Sequence, residues 1–233
     1  MTRSVFAPNR LLGRLARWPL RLISRQTALP VISGPNLGAR WVVGAGHHSC
    51  WLGTYERDKL AMVCNAAKPG MVVFDVGAHA GYYTIALARR VGPSGRVVAF
   101  EADAKNVENL RRHIAINKIV NVTVIAAAVS DRSGVVRFRR DAHGYQGSIA
   151  AEGETVRSVR LDEFGRADLV KMDIEGAEGP ALAGAAHLLK EPKLQIFLSM
   201  HGVSDDQALH SLAQAGFGVR WYGEGELYAV KAS

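Results

Sequence analysis

The sequence predicts a doubly wound α/β fold with a mostly parallel sheet, and three observations carry that prediction. Short apolar runs of strand length alternate with stretches of helical apolar spacing along most of the chain. A loop with glycines at 77 and 81 joins the first such run to its helix. The last two strand-like runs flank Gly223-Glu224-Gly225, so they close the sheet as an antiparallel pair.

The opening unit is the most informative. Met71-Val72-Val73-Phe74 is apolar and ends in Asp75. Val76-Gly77-Ala78-His79-Ala80-Gly81 forms the loop, and Ile85, Leu87 and Ala88 resume near helical spacing. Gly77 and Gly81 let the backbone approach a ligand, and the helix N-terminus offers it free N–H groups. A dinucleotide loop wants G-x-G-x-x-G, whereas His79 stands where a middle glycine might. Asp75 would repel a pyrophosphate lying on this turn and suits a ligand with an amino group, as S-adenosylmethionine has. The next strand, Arg96-Val97-Val98-Ala99-Phe100-Glu101, ends in an acid where such folds place a ribose-binding carboxylate.

The remaining elements follow in order. Residues 1–55 form a basic extension with short strands, and residues 56–233 form the main domain. Before Glu56 there is no acidic residue, and seven arginines, among them Arg10, Arg14, Arg17, Arg21 and Arg25, carry the charge. From residue 56 onward 22 basic residues face 21 acidic ones, so the body is near neutral and the pI of 9.8 belongs to the appendage. With Leu11, Leu15, Trp18 and Leu22 on a neighbouring face, residues 10–25 suit an anionic membrane surface if helical. The alternatives are an organellar transit peptide and an extension whose leucines cover the main domain. The chain is expected in the cytoplasm, at the inner face of a membrane if that contact exists. Cys50 and Cys64 are too few for a disulfide framework, and no apolar run is long enough to span a bilayer.

Arg40-Trp41-Val42-Val43 and Cys50-Trp51-Leu52-Gly53 are expected as short strands, and Glu56 opens a helix that brings it near the ligand. Asp103 is a candidate N-cap for the helix carrying Val107, Leu110 and Ile114. Asn121 to Val129 reads as the third strand, with Ser130 and Asp131 at its carboxyl end as candidate contacts for an adenine edge, or as a simple turn. An insertion at about 135–161 is expected as a hairpin around His143, Tyr145 and Gln146, either selecting substrate at the binding edge or making no ligand contact. Asp168 to Asp173 is the fourth core strand, Pro180 to Leu189 a helix and Leu194 to Met200 the fifth strand. Ser204-Asp205-Asp206-Gln207 is a capping box for the next helix.

Lys171, Asp173 and Glu175 alternate at the end of the fourth strand and share one side if that strand stays extended. In the leading reading Lys171 or Asp173 removes or orients an acceptor's hydroxyl proton, with no resident metal. A second has Asp173, Glu175 and His201 hold a divalent ion. A third is a structural ion cluster, with Glu175 and Glu178 favouring a helix N-terminus. His201, after the fifth strand and before Gly202, is either a general base or a hydrogen-bonding turn residue.

Four stretches together resemble the FkbM family of S-adenosylmethionine-dependent methyltransferases. They are Leu52-Gly53-Thr54-Tyr55-Glu56, Phe74-Asp75-Val76-Gly77-Ala78-His79-Ala80-Gly81, Ala99-Phe100-Glu101-Ala102-Asp103, and Val170-Lys171-Met172-Asp173-Ile174-Glu175-Gly176-Ala177-Glu178. The match runs from about residue 50 to about 220, and the last stretch is its most specific part. The family usually has Asn at the place of His79 and Pro at that of Ala102. The resemblance implies a class I, seven-stranded methyltransferase fold and O-methylation of a hydroxyl on a sugar, glycolipid, polyketide or related metabolite. By position, Asp75, Gly77 and Gly81 would line the methionine end of the cofactor and Glu101 would grip the ribose. Glu56, His79, Ala102, Ser130, Asp131 and Asp173 complete the expected cofactor set. A nicotinamide dehydrogenase fits the loop less well. An RNA 2′-O-methyltransferase would need a basic groove that the near-neutral body does not suggest, so no nucleic acid is expected as partner.

Overall fold

The structure is a computed structural model whose described residues are 23–140, 147–202 and 205–231. Most of the Arg-rich segment, His143, Tyr145, Gln146 and Ser204 lie outside them. The chain enters through a two-stranded ribbon, β1 (Ala28–Pro30) and β2 (Arg40–Val42), which pair antiparallel. Two helices follow, α1 (His48–Leu52) and α2 (Arg57–Ala66). Cys50-Trp51-Leu52, expected as a strand, is therefore helical. A helical turn buries Cys50 and Trp51 together, where a strand would send neighbours to opposite faces, and Gly53 ends it in the left-handed region.

The alternating unit then runs β3 (Val72–Val76), α3 (Tyr82–Val91), β4 (Arg96–Glu101), α4 (Ala104–Ile116) and β5 (Val122–Ala126). Asp103 caps α4, its Oδ1 accepting from the Lys105 and Asn106 amides at 2.8 and 2.9 Å. The expected third strand is split at Ala127, whose N–H donates to the Ile125 carbonyl. Past this kink β6 (Ala128–Val129) leaves the main sheet. It joins β7 (Gly134–Arg140), β8 (Gly147–Ile149) and β9 (Glu154–Val159) in a second sheet of order β6-β9-β7-β8.

The main sheet resumes with β10 (Leu169–Met172), α5 (Glu178–Ala183) and β11 (Gln195–Ser199). It ends with α6 (Asp205–Gln214), β12 (Phe217–Gly223) and β13 (Glu226–Lys231). Its seven strands are ordered β12-β13-β11-β10-β3-β4-β5, and β13 alone runs antiparallel to its neighbours. The expected helix from Pro180 to Leu189 is shorter: α5 stops at Gly184, where a Cβ would lie 2.2 Å from the Ser130 carbonyl oxygen.

Both faces of the central strands are buried. Val73, Val97, Leu169 and Phe197 face the layer containing α3 and the N-terminal segment. Phe74, Val98, Val170 and Ile196 face the layer of α5 and α6. His113 of α4 joins the N-terminal ribbon to this body. Its Nδ1 lies 2.7 Å from the Ala80 carbonyl and so must carry the proton, while Nε2 accepts from the Val42 amide at 2.9 Å. Trp41 stacks on the ring with centroids 3.9 Å apart. Burial, assisted by the charge of Arg112 and opposed by the Ala80 bond, pushes this histidine down to about 4. No helix among the described residues is long and apolar enough to cross a membrane.

Candidate active site

A cavity of about 420 Å³ opens at the carboxyl ends of β3, β4 and β10, the crevice where ligands bind in sheets of this kind. Its floor is the glycine loop. Gly77 has φ +78, and a Cβ there would sit 1.9 Å from the Asp173 carbonyl oxygen, so the position admits only glycine. His79 also adopts positive φ, at 50°, which aims its N–H at Glu101. Glu56 (41°) and Glu175 (56°) do the same. Three of the four non-glycine residues with positive φ among the described residues thus border this cavity. Such backbone persists only where the surroundings impose it, and it concentrates at functional sites.

Glu101 is the best-defined group. Its Oε2 accepts the His79 amide at 2.7 Å and its Oε1 the Asp103 amide at 2.8 Å. Burial raises its pKa against the pull of those two bonds. The Asn106 side chain also donates to this carboxylate, and the acceptor directions left on the fixed group suit a pair of vicinal hydroxyls such as a ribose presents. Ala102 lines the same end. Val129, Phe138 and Ile149, all from the second sheet, give the adjoining wall an apolar surface for a flat ring. With Glu56 as an acceptor for an ammonium, these groups fit the S-adenosylmethionine that the sequence leads one to expect.

Other sequence candidates lie elsewhere. Asp75 is fully buried and does not line the cavity. Thr84 Oγ1 donates to its Oδ2 at 2.6 Å, tying the strand end to α3, and Lys171 Nζ lies 3.6 Å from its Oδ1. Gly81 caps α3 beneath the floor, where a Cβ would meet Leu110 at 2.5 Å. Ser130 and Asp131 also fall short: after the kink at Ala127 the Ser130 amide follows β9 through the Val159 carbonyl, and Ala127 to Val129 take the cavity wall instead. Lys171 borders the cavity but is committed below it. Its Nζ donates to the Gly77 carbonyl at 3.1 Å and sits 4.9 Å from the centroid of the Tyr83 ring.

Asp173 and Glu175 lie at the other end, but not by continuing the strand. β10 ends at Met172, and the left-handed turn at Glu175 swings its carboxylate towards His201. His201 Nε2 stands 3.5 Å from both Asp173 Oδ1 and Glu175 Oε2. Its Nδ1 lies 2.9 Å from Oε1 of Glu178, which is fully buried and also accepts the Ile174 amide. The Glu178 bond, with the charges of Asp173, Glu178 and Glu175, outweighs burial and lifts His201 to about 9. Burial pushes Asp173 up, but Lys171, Lys59 and His201 together hold it below the usual carboxylate value.

The sequence did not single out Lys59, Tyr83 or Glu226. Lys59 Nζ reaches Glu226 and Ser199 Oγ at 2.7 Å and Asp173 Oδ2 at 3.4 Å. Tyr83 donates to Glu56 at 2.8 Å. The only local signal was Glu56, at the cap of α2, three residues ahead of Lys59, and their own contact is 4.0 Å.

Comparisons with known proteins agree with this geometry. A family profile described as the methyltransferase FkbM domain matches residues 75–219. A protein-L-isoaspartate O-methyltransferase from Methanothrix thermoacetophila is 37% identical over 68 residues, 28% of this chain and 32% of that protein. The matched stretch spans about a third of that relative's length. Among solved structures, methyltransferase FkbM from Methylobacillus flagellatus KT superposes with a TM-score of 0.51 at 19% identity, over 79% of this chain and 55% of that one. A precorrin-6y C5,15-methyltransferase from Geobacter metallireducens GS-15 gives 0.52 at 17%, over 76% and 89%. The strand order is that of class I methyltransferases, and with a profile matching more than half its length the chain belongs to the FkbM family of S-adenosylmethionine-dependent methyltransferases.

Proposed function

We propose that the chain transfers a methyl group to a hydroxyl of a small molecule or of a glycan or lipid. The observation that carries this reading is a single cavity with the backbone-held carboxylate of Glu101 at one end and the ionised Asp173 at the other. When bound, S-adenosylmethionine supplies a methyl carbon on a sulfonium, whose carbon–sulfur bond breaks with its electron pair going to sulfur as the acceptor oxygen bonds to the carbon. Glu101 would hold the ribose hydroxyls, Gly77 would let the backbone lie close, and Glu56 would accept from the amino group. Asp173 accepts the acceptor hydroxyl's hydrogen bond and takes its proton. A weak base suffices, because an alkylated hydroxyl oxygen is strongly acidic. Lys171 acts as a positioning residue under the loop, and Lys59 fixes the direction of Asp173. The rest of the rate would come from alignment of the acceptor oxygen with the methyl-bearing sulfur.

A second acceptor, an RNA ribose hydroxyl, draws on one observation: Lys59, Asp173 and Glu226 come together as a lysine between two carboxylates. The near-neutral body opposes binding a polyanion. The deciding experiment incubates the protein with methyl-labelled cofactor and separate small-molecule, glycolipid, RNA and protein fractions. Alkali-stable label in the glycan or lipid or small-molecule fraction, identified as a methyl ether, is the expected result. Label confined to RNA, to alkali-labile esters or to nitrogen overturns the reading.

A further inference from the structure

We infer that Asp173, Glu175 and His201 form a binding site for one divalent cation, of the Mn²⁺ or Zn²⁺ type, at the acceptor end of the cavity. One ligand atom from each of the three lies within 4.8 Å of the others. The two contacts of His201 Nε2, 3.5 Å each, are long for hydrogen bonds. They match the spacing of about 3.0–3.6 Å between neighbouring donors around a cation with bonds of about 2.1 Å.

A second, independent feature is the support behind the histidine. Because a carboxylate only accepts, the bond to Glu178 Oε1 makes Nδ1 the donor. That fixes the ring and turns Nε2 towards the two acids. Glu178 is fully buried, its Oε1 is also held by the Ile174 amide, and its Oε2 has no hydrogen-bond partner among the described residues. A buried glutamate aligning a half-exposed imidazole on two carboxylates is costly as packing alone.

Charge points the same way. Among the described residues five acids, Glu56, Asp173, Glu175, Glu178 and Glu226, meet two cationic groups at this end, Lys59 and His201, since Lys171 is paired with Asp75. One imidazole and two carboxylates are a donor set for a borderline or hard divalent ion. Asp173 and Glu175 line the cavity, so open coordination positions would face an acceptor oxygen and polarise it. The cation would thus orient the hydroxyl assigned above, but its binding does not depend on that assignment.

The test titrates the metal-free full-length chain with Mn²⁺, following the loss of the aqueous Mn²⁺ paramagnetic resonance signal, and with Zn²⁺ by calorimetry. S-adenosylhomocysteine affinity is measured on every preparation as a check of folding. One site per chain is expected, weakened at least 20-fold by His201→Ala and by Glu175→Gln. Glu178→Gln should weaken it about ten-fold, as loss of a supporting carboxylate does. Glu224→Gln, an exposed acid outside the cluster, should leave it unchanged. Absence of any Mn²⁺ or Zn²⁺ site tighter than about 1 mM in protein that binds S-adenosylhomocysteine overturns the inference, and so does a site that survives His201→Ala. No acceptor is present, so a chain that binds the ion yet labels only esters loses the acceptor reading and keeps this one.

Discussion

The two ends of the cavity are built in different ways. At the Glu101 end a single carboxylate is held by backbone amides from His79 and Asp103, both within 22 residues of it in sequence. At the Asp173 end side chains hold side chains: Lys59 from α2, Asp173 and Glu175 after β10, His201 after β11 and Glu226 from β13. Backbone donors are part of the fold and cannot be lost singly. A side-chain network needs every partner present, and each deletion leaves a charge unpaired in a half-buried place. The first end suits an invariant task, gripping one cofactor. The second can be re-tuned residue by residue, as acceptor choice requires.

Substitutions can break that comparison. Glu101→Ala should have the largest effect, weakening S-adenosylhomocysteine binding in calorimetry about 100-fold, the loss of two hydroxyl bonds to a charged group at about 1.5 kcal/mol each. An affinity within three-fold of wild type would mean that the cofactor does not use this carboxylate. Lys59→Met should leave that affinity within three-fold and lower kcat by about 10–100-fold, since it frees Asp173 without touching the cofactor end. If it instead abolishes cofactor binding, the two ends are not separable.

The smallest effect concerns the hinge between ribbon and body. His113 is buried neutral with a folded value of about 4 against 6.5 for a free histidine. On acidification the unfolded chain binds a proton that the folded one refuses, so stability is complete above about pH 6.5 and falls as the pH drops towards 4. The loss should be about 2 kcal/mol by pH 5, read from urea unfolding at pH 7 and 5. His113→Gln should flatten that difference while costing some stability at pH 7.

Much of this was legible in one dimension because it depends on near neighbours. The strand, glycine loop and acid of residues 71–81 and the second acid at Glu101 are set by local turn chemistry, and Asp103 caps α4 where its position said it should. The helical turn at Cys50 was missed because five residues carry no readable period. Only burial of Cys50 and Trp51 against the body makes it helical. Ser130 and Asp131 were misplaced because the kink at Ala127 is imposed by pairing with β9, some 30 residues ahead.

By itself the sequence determined the fold class, the family, the glycine loop and the acid that ends β4, since strand period, glycine placement and acid spacing are local properties. Tertiary structure alone decided that Lys171 braces the loop, that Asp75 is buried beneath it, and that Lys59, Glu226 and Glu178 gather around Asp173 and His201. Those contacts join residues up to 167 apart. Charge attraction across a half-buried gap depends on where the chain returns, and no pattern of neighbours in the sequence records that.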